Sequence, residues 1–306
     1  MTPVDLSLLF ALAAIWGASF MFIKVAVREM SPIMLVSLRL VLAAATLLAL
    51  QRAVGALRAS TPASPPIREK WRAYAYMGLM NAIVPYTLIA WGEKAIPSGT
   101  ASILNATTPL FTAVLAVLLA RGVESERLTR LRALGLLVGF AGVAVLIVGS
   151  GQEVDVGVRG QQLLGYLAVL GGAAAYGVSG LYGRRAFAGV APILPATWQN
   201  VCGAVMLLPF AWGLTPLTRL PSWQATGSAL ALGVMGTGVA LVLYYQLLAR
   251  VGATRTVMVT YLLPVMALIY GAVFLHEPVS VLAVLGLALV LAGVMLTVRA
   301  RLSGKH

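Results

Sequence analysis

The sequence predicts an all-α integral membrane protein whose ten transmembrane helices form two inverted five-helix repeats. Three observations support this prediction: 60% hydrophobic against 10% charged residues, ten apolar segments long enough to cross a bilayer, and similarity between the two halves of the chain. A soluble domain carries about 25% charged residues. A soluble enzyme is therefore excluded, and so is a disordered chain, because too much apolar surface would stay unburied.

The ten apolar segments are separated by charged residues, proline and glycine. A bilayer core about 30 Å thick requires about 20 apolar residues per helix. The predicted spans are 6–27, 32–51, 73–92, 98–120, 131–149, 161–183, 192–213, 224–247, 254–275 and 279–298. The longest polar linker, 51–72, contains three prolines and is predicted to be an irregular loop.

Basic residues predict the orientation of these spans. Of the 22 lysines and arginines, sixteen fall on the side of the N-terminus and five on the opposite side. Cytoplasmic loops carry an excess of lysine and arginine. We therefore expect a multi-pass protein of the bacterial inner membrane with both termini in the cytoplasm. The net charge of +13 then reflects topology, and no nucleic-acid partner is expected.

The two halves of the chain resemble each other in an ordered way. A shift of 160 residues places Trp16-Gly17 on Tyr176-Gly177, and a shift of 155 places Gly78 on Gly233 and Pro109 on Pro264. We interpret 1–150 and 151–306 as two five-helix repeats. Because five is odd, the second repeat enters the membrane from the opposite side. Inverted repeats of this kind are a recurring architecture of secondary transporters.

These motifs resemble the EamA-type branch of the drug/metabolite transporter superfamily over essentially the full chain. The residues that carry the resemblance are Trp16-Gly17, Lys24, Pro32, Arg39, Pro109 with the apolar run to Glu124 or Glu126, Pro264 through Glu277, Gly286 and Gly293. The resemblance implies a ten-helix carrier that exports small metabolites, amino acids or toxic compounds. Gln199 stands where the second repeat would match Arg39, so the resemblance does not carry over a substrate.

Candidate substrate-binding residues lie near the middle of the spans, where repeat-built carriers bind their cargo. Pro109 and Pro264 are predicted helix breaks at equivalent depths. Arg39 is the sharpest candidate, because intramembrane ionisable residues are usually functional. Its guanidinium suits a substrate carboxylate, although it also has the reach to snorkel to the interface or to bind backbone carbonyls.

Polar and aromatic residues complete the candidate cavity, where the polar ones either contact substrate or join helices and the aromatic ones stack on a flat substrate or a cation. The full set is Trp16, Ser19, Arg39, Asn81, Tyr86, Asn105, Thr108, Tyr176, Ser179, Trp198, Gln199 and Tyr261.

The chain has few residues that could bind a metal or relay protons within the membrane. One cysteine and two histidines give no expected metal site or cofactor. All nine acidic residues lie at span ends or in loops, whereas a proton relay usually has an embedded carboxylate or histidine. We therefore expect facilitated exchange or weakly coupled export rather than a carboxylate-centred antiporter.

The sequence favours a secondary transporter of small amphiphilic metabolites such as amino acids. Its expected partners are the lipid bilayer and a small-molecule substrate. An exporter of cationic drugs or quaternary amines held by aromatic residues is the alternative, and a passive channel or a scaffold is another. An intramembrane serine protease using Ser179 in a Gly-x-Ser-Gly motif would need His276, which the topology places on the far side of the membrane. The chain is therefore expected not to be an enzyme, and both a monomer and a homodimer are compatible with the sequence.

Overall fold

The computed structural model describes residues 1–57, 67–119, 129–149, 156–214 and 220–303. Its helices are α1 (Pro3–Ala26), α2 (Pro32–Leu57), α3 (Ile67–Gly78), α4 (Val84–Gly92), α5 (Ser98–Asn105), α6 (Thr108–Leu119), α7 (Arg130–Gly149), α8 (Val156–Ala186), α9 (Ile193–Leu214), α10 (Trp223–Gly233), α11 (Ala240–Thr256), α12 (Met258–Leu275) and α13 (Val281–Ser303). In the described part of the chain, ten helical stretches are long and apolar enough to span a membrane, which confirms the predicted class and number of spans.

The span boundaries follow from local sequence. Thr2 and Asp5 form a capping box that begins α1, with the Thr2 amide donating to the Asp5 carboxylate at 2.8 Å. The predicted loop at 51–72 is shorter than expected, because α2 continues to Leu57 and α3 already begins at Ile67. The middle of that linker lies outside the described residues.

Three spans are interrupted near their midpoints. In the third and eighth spans, short π-helical segments, Leu79–Ile83 and Val234–Val239, join α3 to α4 and α10 to α11. They begin directly after Gly78 and Gly233, the pair that the shift of 155 residues matches. The fourth span breaks between α5 and α6, just before Pro109, as predicted.

Pro264 does not break its helix, so this part of the prediction is wrong. α12 runs continuously from Met258 to Leu275 with Pro264 inside it. A proline removes one backbone hydrogen bond, and a membrane helix tolerates that loss where neighbouring groups satisfy the freed carbonyl. Thr108 already starts a new helix one residue before Pro109, so the two equivalent prolines have different local structures.

The helices pair across the two halves in a symmetric pattern. α1 packs on α12 as α6 packs on α8, and the third span packs on α8, mainly through α4, as the eighth span packs on α1 through α10 and α11. The pairs α2 with α9 and α7 with α13 are each their own counterpart. In the last pair glycines allow close contact, since a Cβ on Gly142 would lie 2.8 Å from the carbonyl oxygen of Gly286.

Candidate functional site

A cavity of about 670 Å³ lies among the interrupted spans. The π segments direct Asn81 and Thr237 to its wall, and the break after α5 does the same for Asn105 and Thr108. Helix interruptions at membrane depth are tolerated where the irregular backbone is buried in protein or lines a cavity. The positions of these polar residues therefore depend on the helix breaks.

Most of the candidate residues from the sequence meet at this cavity. Ten of the twelve line it, and so does Pro109; the ten are Trp16, Ser19, Arg39, Asn81, Tyr86, Asn105, Thr108, Tyr176, Ser179 and Gln199. Trp198 and Tyr261 are half-buried and lie outside the lining. Pro264 is buried within α12, and its neighbour Leu263 contributes to the wall instead.

Arg39 is held in a fixed pose on the cavity wall. Its Nε donates to Thr237 Oγ1 at 2.8 Å, and its guanidinium carbon lies 3.8 Å from the centre of the Tyr86 ring. The residue is 7% exposed and does not snorkel to an interface, and among the described residues its hydrogen bond goes to the Thr237 hydroxyl rather than to a backbone carbonyl. Neither terminal nitrogen donates to a described residue, and neither is sealed from the cavity. The terminal nitrogens are therefore available to a ligand, and a guanidinium can bind a carboxylate through two parallel hydrogen bonds.

A second polar group on the wall is a chain of side-chain hydrogen bonds. Asn81 Nδ2 donates to Gln199 Oε1 at 3.0 Å, and Ser179 Oγ lies 2.8 Å from Asn81 Oδ1. The Ser179 hydroxyl is fully buried and also lies 2.9 Å from the Tyr176 carbonyl oxygen. Asn105 Oδ1 is buried without a partner in the described part of the chain. The wall therefore offers amide groups as well as the arginine.

Aromatic rings form an apolar part of the wall. The Trp16 and Tyr244 ring centres are 5.5 Å apart, those of Tyr244 and Tyr245 are 5.2 Å apart, and those of Tyr86 and Tyr176 are 6.4 Å apart. Tyr244 and Tyr245 lie in the second half of the eighth span, and both belong to the cavity wall. Aromatic contacts of this kind bury large apolar area.

Sequence reasoning missed Thr237, the partner of Arg39. Its signal was present, since Thr237 stands between two glycines in the middle of the eighth span, where backbones approach closely. Arg184 and Phe187 were also missed as lining residues, because they lie at the end of a span and look like interfacial anchors.

The two ends of the cavity differ in exposure. At one end, which we call the mouth, the lining consists of Arg184, Phe187, Val190 and Pro192, and Arg184 and Pro192 are exposed. At the other end the last lining residues of α1 and α4 are Ile23 and Ile89, which are 3% and 4% exposed. Within the described residues, the cavity therefore reaches an exposed face at the mouth and ends among buried side chains at the other end.

Beyond Ile23 and Ile89 lies a group that we call the closed end, made of Lys24, Glu93, Ile96, Ser98 and Glu277. Lys24 Nζ donates to the carbonyl oxygens of Glu93 and Ile96 at 2.6 and 2.9 Å. The Glu277 carboxylate accepts from the Ser98 amide and hydroxyl, which caps α5. These contacts join α1, the α4–α5 connection and the α12–α13 connection.

The lining has a positive charge balance. Its charged members, among the described residues, are Arg39 and Arg184, and no acidic residue is included. Arg39 is buried and pairs with no carboxylate among the described residues, and a buried cation of this kind favours an anionic group on a ligand.

A helical protein with ten spans and a central cavity that opens to one face has the architecture of a secondary carrier. Comparison with known families agrees: the model of the EamA-like transporter family matches residues 5–148 and 163–299, so the chain belongs to that family. Its relatives are transporters, and the chain is accordingly a multi-pass membrane transporter rather than an enzyme.

Relatives and a solved structure extend the comparison. The chain is 26% identical to the uncharacterized transporter YoaV of Bacillus subtilis over 92% of each chain. It is 31% identical to a probable terminal-alkyne amino-acid exporter of Streptantibioticus cattleyicolor over 72% of this chain and 70% of that one. The uncharacterized inner membrane transporter YedA of Escherichia coli is 27% identical over 94% of this chain and 88% of its own. A crystal structure with 19% identity and a TM-score of 0.65, covering 98% of this chain and 99% of that chain, shares the fold.

Proposed function

We propose that the protein is an alternating-access exporter of small amphiphilic metabolites that carry a carboxylate, such as amino acids or related compounds. The observation that carries this proposal is Arg39, fixed by Thr237 and Tyr86 with its terminal nitrogens facing a cavity without acidic lining. The aromatic rings would hold the apolar part of the substrate. The name of the Streptantibioticus cattleyicolor relative points to the same substrate class.

The proposal includes the arrangement of the halves and their orientation. The symmetric helix pairing and the matched π segments support two five-helix repeats at 1–150 and 151–306, and the odd number of spans in each makes them inverted. The basic residues support cytoplasmic termini. The mouth then faces the cytoplasm, the side on which an exporter takes up its substrate.

The orientation can be tested by labelling single cysteines in a Cys202→Ala background. Lys94→Cys and Ala188→Cys place thiols at exposed positions on the closed face and beside the mouth. In intact cells a membrane-impermeant maleimide should label Lys94→Cys, whereas Ala188→Cys should react only after permeabilisation. The reverse pattern would overturn the orientation.

Arg39 can be tested by substrate binding to the purified protein. A thermal-shift screen against amino acids, nucleobases and quaternary amines identifies a ligand, and each acid that binds is then compared with its methyl ester. A hydrogen bond to a charged group contributes about 1.5–3 kcal/mol, so Arg39→Gln should weaken acid binding roughly 10- to 150-fold. Ester binding should change little, because the ester lacks the anionic oxygens.

Two further variants separate charge from geometry in this test. Arg39→Lys keeps the charge but loses the planar pair of donors. Its affinity for the acid should therefore lie between the affinities of the wild type and of Arg39→Gln. Arg28→Gln removes an exposed arginine outside the cavity lining and should bind acids like the wild type. Equal acid affinity in Arg39→Gln and the wild type would remove Arg39 from the site.

Export of quaternary amines is the second candidate function, favoured by the aromatic wall around Trp16, Tyr244 and Tyr245. Such rings attract cations by about 0.5–2 kcal/mol each. Against it, Arg39 already occupies the face of Tyr86, and the lining is positive. Stabilisation by quaternary amines but by no carboxylate in the same screen would establish this alternative.

A further inference from the structure

Glu93 is a buried carboxyl group without a hydrogen-bond partner among the described residues. It follows Gly92 at the end of α4 and is 0% exposed, and neither carboxyl oxygen accepts a hydrogen bond from the part of the chain that the structure describes. The expectation that no acidic residue is embedded is therefore wrong for Glu93. Its place at a span end hid this burial, because α5, α8 and the start of the α12–α13 connection pack around that turn.

The charged neighbours of Glu93 do not compensate its burial. Lys24 of α1 binds the backbone carbonyl of Glu93 rather than its carboxyl group. Arg39 is engaged with Thr237 and Tyr86, and the Glu277 carboxylate adds a second negative charge to the region. A buried ion without adequate partners costs several kcal/mol, whereas an unpaired neutral polar group costs about 1–3 kcal/mol. The neutral form of Glu93 is therefore favoured in this conformation.

The titratable groups around this turn also favour the neutral form of Glu93. Burial raises the pKa of the Glu93 carboxyl well above its usual range, the Lys24 and Arg39 charges oppose the rise in pKa, and Glu277 adds to it. Arg28 follows α1 on the same face, Tyr166 lies on the part of α8 that packs against Gly92, and exposed His276 precedes Glu277. Of these, histidine is the one other group that ordinarily changes charge near neutral pH.

We propose that the Glu93 carboxyl is a proton-binding site of the closed end, which holds its proton while the closed end is shut and releases it to the solution on that face when the closed end opens. The inference rests on the alternating access of the proposed function. Opening separates α1 from the α4–α5 connection, admits water to Glu93 and frees Lys24 to pair with its carboxylate. The proton then passes from the carboxyl oxygen to water.

The sign of the pH effect follows from linkage. The closed state binds one more proton than the open state, so acid favours the closed end shut and alkali favours it open. For one proton, the ratio of shut to open molecules changes by up to about tenfold per pH unit between the pKa values of the open and shut states. Substrate release on this face would accordingly be accompanied by release of a proton.

The opening can be measured as a distance between two spin labels, without substrate and without knowledge of the orientation. Lys94→Cys and Val279→Cys, in a Cys202→Ala background, place exposed labels on the two connections that meet at the closed end. As the pH is raised stepwise from mildly acidic to alkaline, so that Glu93 loses its proton, electron paramagnetic resonance should show a growing population at longer distance. Glu93→Gln, which imitates the protonated form, should keep the short distance throughout.

Matched controls separate Glu93 from its neighbours. Glu29 lies on the same face but is exposed, and its hydrogen bonds from the Ser222 hydroxyl and amide hold the pKa of Glu29 below its usual range. Glu29→Gln and His276→Asn should both retain the pH response of the wild type. A pH-independent distance in the wild type, or an unchanged response in Glu93→Gln, would overturn the proposal.

Infrared spectroscopy tests the protonation itself. At a pH that keeps the closed end shut, the wild type should show the carbonyl stretch of a protonated carboxyl group, and Glu93→Gln should lose it while Glu29→Gln keeps it. Absence of this band in the wild type would also overturn the proposal. Neither measurement depends on Arg39, so a failed carboxylate-binding test and a failed proton-binding test are distinguishable.

Discussion

The mouth and the closed end of the cavity are built by different means. At the mouth, Arg184 and Pro192 are exposed, and α3 reaches the end of α8 through the Lys70 Nζ hydrogen bond to the Ala186 carbonyl oxygen at 2.6 Å and the stacked rings of Tyr74 and Phe187. At the closed end, Lys24 and Glu277 join three segments by hydrogen bonds to backbone groups, and Glu93 is fully buried. The two ends therefore differ mainly in burial, since exposed side chains line the mouth whereas a carboxyl group is fully buried at the closed end.

This difference shows what a change of access requires. Opening the closed end would break the Lys24 and Glu277 contacts and hydrate Glu93, whereas closing the mouth would require new contacts between exposed helix ends. The free-energy difference between the two states therefore includes the loss of the Lys24 and Glu277 contacts. Substitutions there should alter conformational stability more than equivalent substitutions at the mouth.

The largest difference in stability is expected between variants of two glycines, Gly92 beside the closed end and Gly180 on the cavity wall. A Cβ on Gly92 would lie 2.7 Å from the Gly165 carbonyl oxygen and 2.7 Å from Val169 Cγ2, whereas a Cβ on Gly180 would meet nothing within 4 Å. Overpacking of this kind costs about 1–3 kcal/mol. Gly92→Ala should therefore lower the thermal unfolding temperature of the purified protein clearly.

Gly180→Ala is the matched control on the cavity wall. It replaces a helical glycine by the better helix former and should leave the unfolding temperature unchanged or slightly raised, by a gain of about 0.5–1 kcal/mol. Equal unfolding temperatures for the two variants would mean that the closed end is no more tightly packed than the open wall, and the comparison would fail.

The sequence predicted the spans and much of the cavity because their physical causes act locally. Hydropathy and length suffice to find a bilayer-spanning helix, and polar residues such as Asn81 and Asn105 in mid-span need partners or a wet cavity. Trp198 and Tyr261 were misplaced relative to the lining because a membrane helix is apolar on every side, which leaves little periodicity to show its inward face.

The burial of Glu93 and the unbroken helix at Pro264 depend on tertiary structure. Glu93 follows Gly92 at the end of a span, where a carboxylate ordinarily reaches water, and its burial arises from packing by segments far away in sequence. Pro264 and Pro109 have the same local signal, but the span breaks beside Pro109 alone. The outcome at each proline depends on which neighbouring groups satisfy the backbone.

A smaller effect is expected at Glu277, whose carboxylate caps α5 from the other half of the chain. Its oxygens accept from the Ser98 amide at 2.9 and 3.0 Å and from the Ser98 hydroxyl at 2.7 Å. Loss of a helix N-cap typically costs about 1 kcal/mol. Glu277→Ala should therefore lower the unfolding temperature less than Gly92→Ala does, and it should accelerate hydrogen exchange of the Ser98 and Gly99 amides.

Glu277→Gln separates the hydrogen bonds from the charge. Its amide oxygen still accepts from Ser98, but the negative charge that favours a helix N-terminus is gone, so exchange at these amides should lie between those of the wild type and Glu277→Ala. Exchange confined to the first turn of α5 would show that the cap acts locally. Faster exchange that also reaches the end of α4 would show that Glu277 holds the closed end together as one unit, and unchanged exchange in Glu277→Ala would contradict its role as the cap.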